Sequence, residues 1–292
     1  MAANNIIRCG NKEFRWGART YVMGILNVSP DSFSGDGAAD IEAAAAQALR
    51  FEEEGADILD IGGESTRPGF SPVTTDEEIR RVVPVIALLA KRISIPISVD
   101  TSKYEVARQA LAAGAAILND QWGLKTEPRL ADMAARNNVQ LILMSNQRDI
   151  GGYDVSTNRD TADYQDVMSE VIGCLRKSIA AAEHAGVPRN NIIIDPGIGF
   201  GKTWQQDIEI IRRLRELKEL GLPILVGTSR KSLIKMVLNL PANQRVEGTA
   251  ATVAISIANG ADIVRVHDVK QMARVCKMAD AIVRGTNGAV SG

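Results

Sequence analysis

At 292 residues with a net charge of -1, the chain suits one barrel of about 250 residues plus loops, and no composition break, proline-rich linker or charge block divides it. Only 4% of residues are aromatic and no run of Lys and Arg occurs, so nucleic acid would find neither an electrostatic footprint nor a stacking platform. Three widely spaced cysteines offer no disulfide framework or CxxC motif, and no apolar run is long enough for a membrane span or a signal-peptide core, so a cytoplasmic protein with a small-molecule partner is expected.

Residues 6–9 and 13–16 flank Gly10-Asn11 and read as a hairpin closing the bottom of a barrel. Met23-Gly24-Ile25-Leu26 then ends in Asn27, Ile58-Leu59 in Asp60, Ile97-Ser98-Val99 in Asp100, and Ile117-Leu118 in Asn119. Leu141-Ile142-Leu143-Met144 ends in Ser145-Asn146, Ile192-Ile193-Ile194 in Asp195, Ile224-Leu225-Val226 in Thr228-Ser229, and Ile263-Val264 in Arg265 and His267. Helical stretches separate these runs. Asp40 is expected to cap the first and Thr75 to Glu78 to form a capping box for the second, which Pro84 should kink or interrupt at a cost of roughly 3 kcal/mol. The longest helix, around Met168 to Ala182, is a candidate for subunit contacts. Gly55, Gly114 and Gly260 each stand between a helical run and a strand, as a left-handed C-cap and tight turn require.

Eight strands alternating with helices give the α/β class and a (β/α)8 TIM barrel, in which residues 1–20 hold the hairpin, 21–285 the barrel and 286–292 a flexible tail of a single domain, 1–292. Parallel strands bring all eight polar exits to one rim, where the loops of this architecture build the active site. Two rim loops, residues 28–39 and 62–74, are long and rich in Gly, Ser, Pro and charge, as in loops that close on substrate.

The segment Asp195-Pro196-Gly197-Ile198-Gly199-Phe200-Gly201-Lys202-Thr203 is neither a P-loop nor a dinucleotide fingerprint, because Pro196 and Lys202 stand where those motifs need glycine. Its glycines let backbone approach a flat ligand, with Phe200 as a shield. Asp100 and Asp195 each have a bland reading as helix caps. Asp60, Asp100, Asn119 and Asp195 on one rim are harder to explain without a ligand or network. Carboxylates pair with adjacent N–H donors of an aminopyrimidinone and an amide serves a mixed edge, which points to a guanine-like or pterin-like ring. Arg67, Lys231, Arg265 and His267 are either solvated surface charge or, with Thr66 and Ser229, a phosphate or pyrophosphate site. No histidine lies near Ser229 in sequence, which argues against a nucleophilic serine. Asn27 either orders its loop or ligates magnesium on a pyrophosphate.

Taken together, the segments from Met23-Gly24-Ile25-Leu26-Asn27-Val28-Ser29-Pro30-Asp31-Ser32-Phe33-Ser34 to Arg265-Val266-His267-Asp268-Val269 resemble the dihydropteroate synthase family. Between them fall Asp60-Ile61-Gly62-Gly63-Glu64-Ser65-Thr66-Arg67-Pro68-Gly69, Ser98-Val99-Asp100-Thr101, Asn119-Asp120, the 195–202 segment and Ser229-Arg230-Lys231-Ser232. The resemblance implies condensation of dihydropterin pyrophosphate with 4-aminobenzoate, a magnesium ion (Mg2+) and a homodimer. It implies that Asp100, Asn119, Asp195 and Lys231 hold the pterin, that Arg265 and His267 take the pyrophosphate, and that Asn27 ligates the metal. Thr66, Arg67, Pro68, Phe33 and Ser229 would shape the 4-aminobenzoate pocket. Asp195, Lys231, Arg67 and Asp100 are the expected catalytic residues, and Phe200 is an expected substrate contact. One departure is Ser145, where family members often carry histidine; activity is expected to survive it. The alternatives are a corrinoid-type methyltransferase, which does not need the 65–68 and 229–231 motifs, and a pterin-binding paralogue without catalysis.

Overall fold

The computed structural model describes residues 6–10, 12–28, 37–64, 73–148 and 165–285. The chain begins with an antiparallel hairpin, β1 (Ile6–Cys9) and β2 (Lys12–Arg15), in which Ile7 faces Phe14. Eight parallel strands follow: β3 (Tyr21–Asn27), β4 (Ile58–Gly62), β5 (Ile97–Asp100), β6 (Ile117–Asp120), β7 (Gln140–Met144), β8 (Ile192–Asp195), β9 (Leu225–Val226) and β10 (Ile263–Val266). They are ordered β8-β7-β6-β5-β4-β3-β10-β9, and a parallel bridge between Ile194 and Ile224 joins the two ends. The result is a nearly closed TIM barrel.

Side chains alternate along each strand, and this period of two builds two cores. Met23, Ile58, Ile117, Ile142, Ile193, Leu225 and Ile263 fill the barrel interior, plugged from below by Ile7, Cys9 and Phe14 of the hairpin. Their neighbours Val22, Leu59, Leu118, Leu141, Ile194 and Val264 face the helices. Two positions up from Ile58, Ile117, Ile193 and Ile263 stand Asp60, Asn119, Asp195 and Arg265. The alternation that packs the interior therefore aims these polar groups into the mouth of the barrel.

The surrounding helices are α1 (Gly37–Glu53), α2 (Thr75–Leu89), α3 (Tyr104–Ala113), α4 (Arg129–Asn137), α5 (Val167–His184), α6 (Trp204–Arg212), α7 (Ser232–Leu238), α8 (Val246–Ala258) and α9 (Val269–Arg284). Two of them, α7 and α8, share the single connection between β9 and β10, which the sequence pattern did not separate. Gly114 ends α3 at φ 118°, where a Cβ would lie 2.6 Å from the Ala90 side chain, so this turn needs glycine on both conformational and steric grounds.

Three local expectations are corrected. Asp40 lies inside the first turn of α1 rather than capping it, since the helix already starts at Gly37; an acidic residue there still suits the helix N-terminus. The cap of α2 is Thr74, whose Oγ1 accepts from the Glu77 N–H at 3.3 Å, one residue before the expected box. The helix also runs unbroken through Pro84. Pro84 and Arg80 face solvent, so the carbonyl that loses its intrahelical partner can bond to water while Val82, Val85, Ile86 and Leu89 stay packed.

Candidate active site at the barrel rim

Strand register places Asp100 beside Asn119 and opposite Gly62, all at the carboxyl end of the sheet. Arg265 ties three strands together there. Its Nε donates to Asp60 at 2.6 Å and Nη2 to Asp100 at 2.7 Å, while the Asn119 amide donates to both Asp60 oxygens at 3.3 and 3.2 Å. The rim cluster is a linked network of buried ions, and the cap reading of Asp100 fails because α3 starts at Tyr104 with Lys103 as its N-cap. Burial pushes the Asp100 carboxyl up to about 7; Arg265 pulls it down and Asp60 pushes it further up. Burial also opposes the charge of Arg265, but Asp60 and Asp100 outweigh it and its pKa is raised.

The second half of the mouth comes from the loops after β7, β8 and β9. Asp195 accepts from the Gly197 N–H at 2.7 Å; burial raises its carboxyl, opposed first by the charge of Lys231. Lys231 donates to the Ile198 carbonyl, and burial lowers its ammonium to about 8 against the pull of Asp195 and Asp207. Lys231 Nζ and Arg148 Cζ each lie over the Phe200 ring, 4.7 Å from its centroid. The loop glycines approach protein, not open space: at Gly197 (φ 70°) a Cβ would stand 2.2 Å from the Ser145 carbonyl oxygen, and at Gly201 2.5 Å from the Gln147 backbone. Ser145 is wholly buried, with its N–H on the Asp195 carbonyl at 2.8 Å and its Oγ accepting from Gln147 at 3.1 Å. The serine is thus built into the β7–β8 contact.

Ser229 does meet a histidine, 38 positions away in sequence. Its Oγ accepts from the His267 N–H at 3.1 Å and lies 3.0 Å from His267 Nδ1. The hydroxyl and the ring can share a proton in either direction, so this contact ties the loop after β9 to the end of β10 without fixing the tautomer. His267 and Asn27 line one end of a 390 Å³ cavity that continues past Arg230 and Asp268 between α1 and α9. Arg230 is paired with Asp268 at 2.5 Å. Among the described residues no group of three or more His, Cys, Asp or Glu side chains is placed to hold a metal. Phe33, Thr66, Arg67 and Pro68 lie outside the described residues.

Three further side chains that hold the rim together are not singled out by the sequence pattern. Gln121 donates to both oxygens of Asp100, a role signalled only by its being polar in the loop after Asn119-Asp120. Lys202, which in the sequence breaks a motif and ends the 195–202 segment, donates to the carbonyls of Ser145, Gly197 and Phe200 at 2.8, 3.0 and 3.2 Å. Lys103 pairs with Glu64 and with fully buried Glu78 at the foot of the second long rim loop.

A rim built from carboxylates, amides and lysines over a parallel barrel suits a polar heterocycle better than a nucleophilic hydrolase site. Residues 23–267 match the family described as pterin binding enzyme, and the chain belongs to that family. A dihydropteroate synthase of Clostridium beijerinckii is 49% identical over 280 residues, covering 95% of this chain and 100% of the relative. A Clostridium difficile dihydropteroate synthase solved in the presence of pteroic acid superposes with a TM-score of 0.86 at 46% identity, over 93% of this chain and 99% of its own. The Xanthomonas albilineans dihydropteroate synthase with 4-aminobenzoic acid gives 0.87 at 41% identity, over 96% and 98%.

Proposed function

We infer that the chain is a transferase with the dihydropteroate synthase activity, joining dihydropterin pyrophosphate to 4-aminobenzoate with release of pyrophosphate. The observation that carries this is the convergence of Asp100, Asn119, Asp195, Lys231 and Arg265 on one barrel mouth, in a member of the pterin-binding family whose relatives are named for that reaction. Ionised Asp100 and Asp195 accept ring N–H groups, Asn119 serves the mixed edge, and Lys231 donates to a ring acceptor while Phe200 covers it. In the reaction the methylene carbon–oxygen bond breaks, pyrophosphate leaves with the electron pair, the arylamine nitrogen supplies the new carbon–nitrogen bond, and its proton is lost to solvent. Buried negative charge at Asp195 favours the electron-poor methylene carbon, and positive charge at Arg265, with the His267 ring beside it as a polar contact, favours the leaving group. Arg265 has Nε and one Nη on carboxylates, so the other Nη is the edge it presents to a phosphate.

Magnesium fits as a substrate-borne ion. Asn27 offers one amide oxygen at the edge of an open cavity, and the pyrophosphate and waters would supply the remaining hard oxygen ligands, which this ion tolerates well. When bound it would neutralise the leaving pyrophosphate. Phe33, Thr66, Arg67, Pro68 and Ser229 complete the 4-aminobenzoate side of the reading.

The working unit is a homodimer in the cytoplasm. Among the described residues, large exposed apolar side chains concentrate on α7, α8 and α9, at Met236, Val237, Ile255, Met278 and Ile282, and none lies on α5. No described helix is long and apolar enough to cross a membrane.

Purified protein mixed with dihydropterin pyrophosphate, 4-aminobenzoate and magnesium should release dihydropteroate and pyrophosphate in equal amounts. Pterin binding without product would overturn the synthase reading in favour of a methyltransferase or a silent binding protein.

A further inference from the structure

Gln121, in the loop after β6, contacts the rim carboxylate of Asp100 and has no substrate contact assigned to it above. Its Nε2 donates to both oxygens of Asp100. Asp100 Oδ2 also receives Arg265, whereas Oδ1 has Gln121 as its donor. The glutamine is itself held in place: its backbone carbonyl accepts from Asn146 Nδ2 at 3.0 Å, and the Asn146 carbonyl in turn accepts from Lys125. Its Oε1 is buried with no hydrogen-bond partner among the described residues. An amide that leaves one end unsatisfied in order to put its donor on a carboxylate is poorly explained by packing, since an orphaned buried acceptor costs about 1–3 kcal/mol.

The geometry points to Gln121 as a positioning residue that turns Asp100 toward the barrel mouth and keeps it ionised for the pterin. This deepens the synthase reading and rests on it for the identity of the ligand. The charges facing Asp100 leave such a residue something to do. Asp60 of β4 and Glu78 of α2 oppose its ionisation, Arg265 of β10 favours it, and Lys103 at the start of α3 is already shared between Glu64 and Glu78. With burial also raising Asp100, the Gln121 donor is one of two groups favouring the anion and the only one on Oδ1 among the described contacts.

The test compares wild type with Gln121→Met and Gln121→Glu. Methionine keeps the length of the side chain and removes the orphaned oxygen along with the donor, so the variant should melt at or above the wild-type temperature. Glutamate sets a like charge against Asp100. The acidic limb of the kcat/KM profile for dihydropterin pyrophosphate should move to higher pH by about one unit in the methionine variant and further in the glutamate variant, a loss of about tenfold or more below the limb. The KM for 4-aminobenzoate should stay within about twofold, roughly 0.4 kcal/mol. A purely structural role predicts lower melting temperatures and an unmoved limb; an unmoved limb in both folded variants overturns the assignment. A wild-type chain that makes no dihydropteroate overturns the synthase reading alone. The Gln121 assignment is then read from the pH dependence of binding of a plain pterin, followed by its fluorescence, where the same upward shift supports it and coincident curves overturn it.

Discussion

The ammonium of Lys202 lies among three carbonyl oxygens that belong to the loops after β7 and β8. Those loops also meet through Gly197 on the Ser145 carbonyl, so one cation neutralises a concentration of backbone dipoles beneath Asp195. Burial lowers the Lys202 ammonium to about 8 while Asp207 and Asp195 hold it charged. Lys202→Met keeps most of the aliphatic stem and removes every one of these donations. Each stranded carbonyl costs about 1–3 kcal/mol where water cannot replace the donor. Because the site is only partly closed, the expected total is about 2–4 kcal/mol. Urea unfolding of the two proteins at one pH measures it, and a loss below about 0.5 kcal/mol, the size of an ordinary surface substitution, would show that Lys202 does not hold the loops.

At the scale of elements, α2 and the α7–α9 face make opposite use of exposure. Pro84 is tolerated because its missing hydrogen bond falls on the solvent side of an amphipathic helix. Pro84→Ala should therefore stabilise the fold by about 1 kcal/mol, less than the ~3 kcal/mol of an unperturbed helix because the solvent-facing carbonyl can bond to water instead. A thermal melt showing destabilisation would mean that the proline is needed for the approach of α2 to its neighbours. On the other side of the barrel, α8 packs on α9 and Gly248 lets α7 approach so closely that a Cβ there would lie 2.4 Å from Ile234. This leaves Ile255, Met278 and Ile282 exposed on adjoining helices, at 50%, 63% and 72%, a spread of apolar surface that a second copy would cover. Ile255→Asp together with Ile282→Asp should convert the proposed dimer to monomer in sedimentation equilibrium while each subunit stays folded. A wild-type chain that sediments as a monomer ends the dimer proposal.

Across the whole molecule, what could be read in advance followed from periodicity, and what could not followed from contacts distant in sequence. Runs such as Ile192-Ile193-Ile194 mark strands buried on both faces, and the polar residue after each run falls at the mouth because parallel strands end together. The Asp60–Arg265 pair spans 205 positions, the Ser229–His267 pair 38, and Gln121 reaches Asp100 across 21, so none of these partnerships leaves a local signature. The cap of α2 slipped by one residue because Thr74 and Thr75 are equivalent as letters. The linked charges that resulted should also govern stability. Asp100 holds its proton more tightly in the fold, at about 7, than in the unfolded chain, at 3.8. Between those values the native state binds more protons than the unfolded one, so this group's contribution to stability falls as pH rises through the window and is level above it. Asp120, raised to about 6 by burial, has the same sign, while Lys231, lowered to about 8 from 10.5, makes stability rise again above pH 8. The empty mouth is therefore least favourable near pH 7 to 8, where its groups are charged and waiting for a ligand. Asp100→Asn removes one of these costs and with it one pterin contact. Its stability relative to wild type should grow from pH 4 to pH 7, by an amount on the order of a few kcal/mol, and then stay constant, while pterin affinity is lost. Urea unfolding at several pH values reads the slope independently of any fixed offset from the altered Arg265 pairing. A wild-type-to-variant difference that is the same at pH 4.5 and pH 8 would mean that Asp100 is already ionised throughout, and that the fold does not trade stability for a charged site at this position.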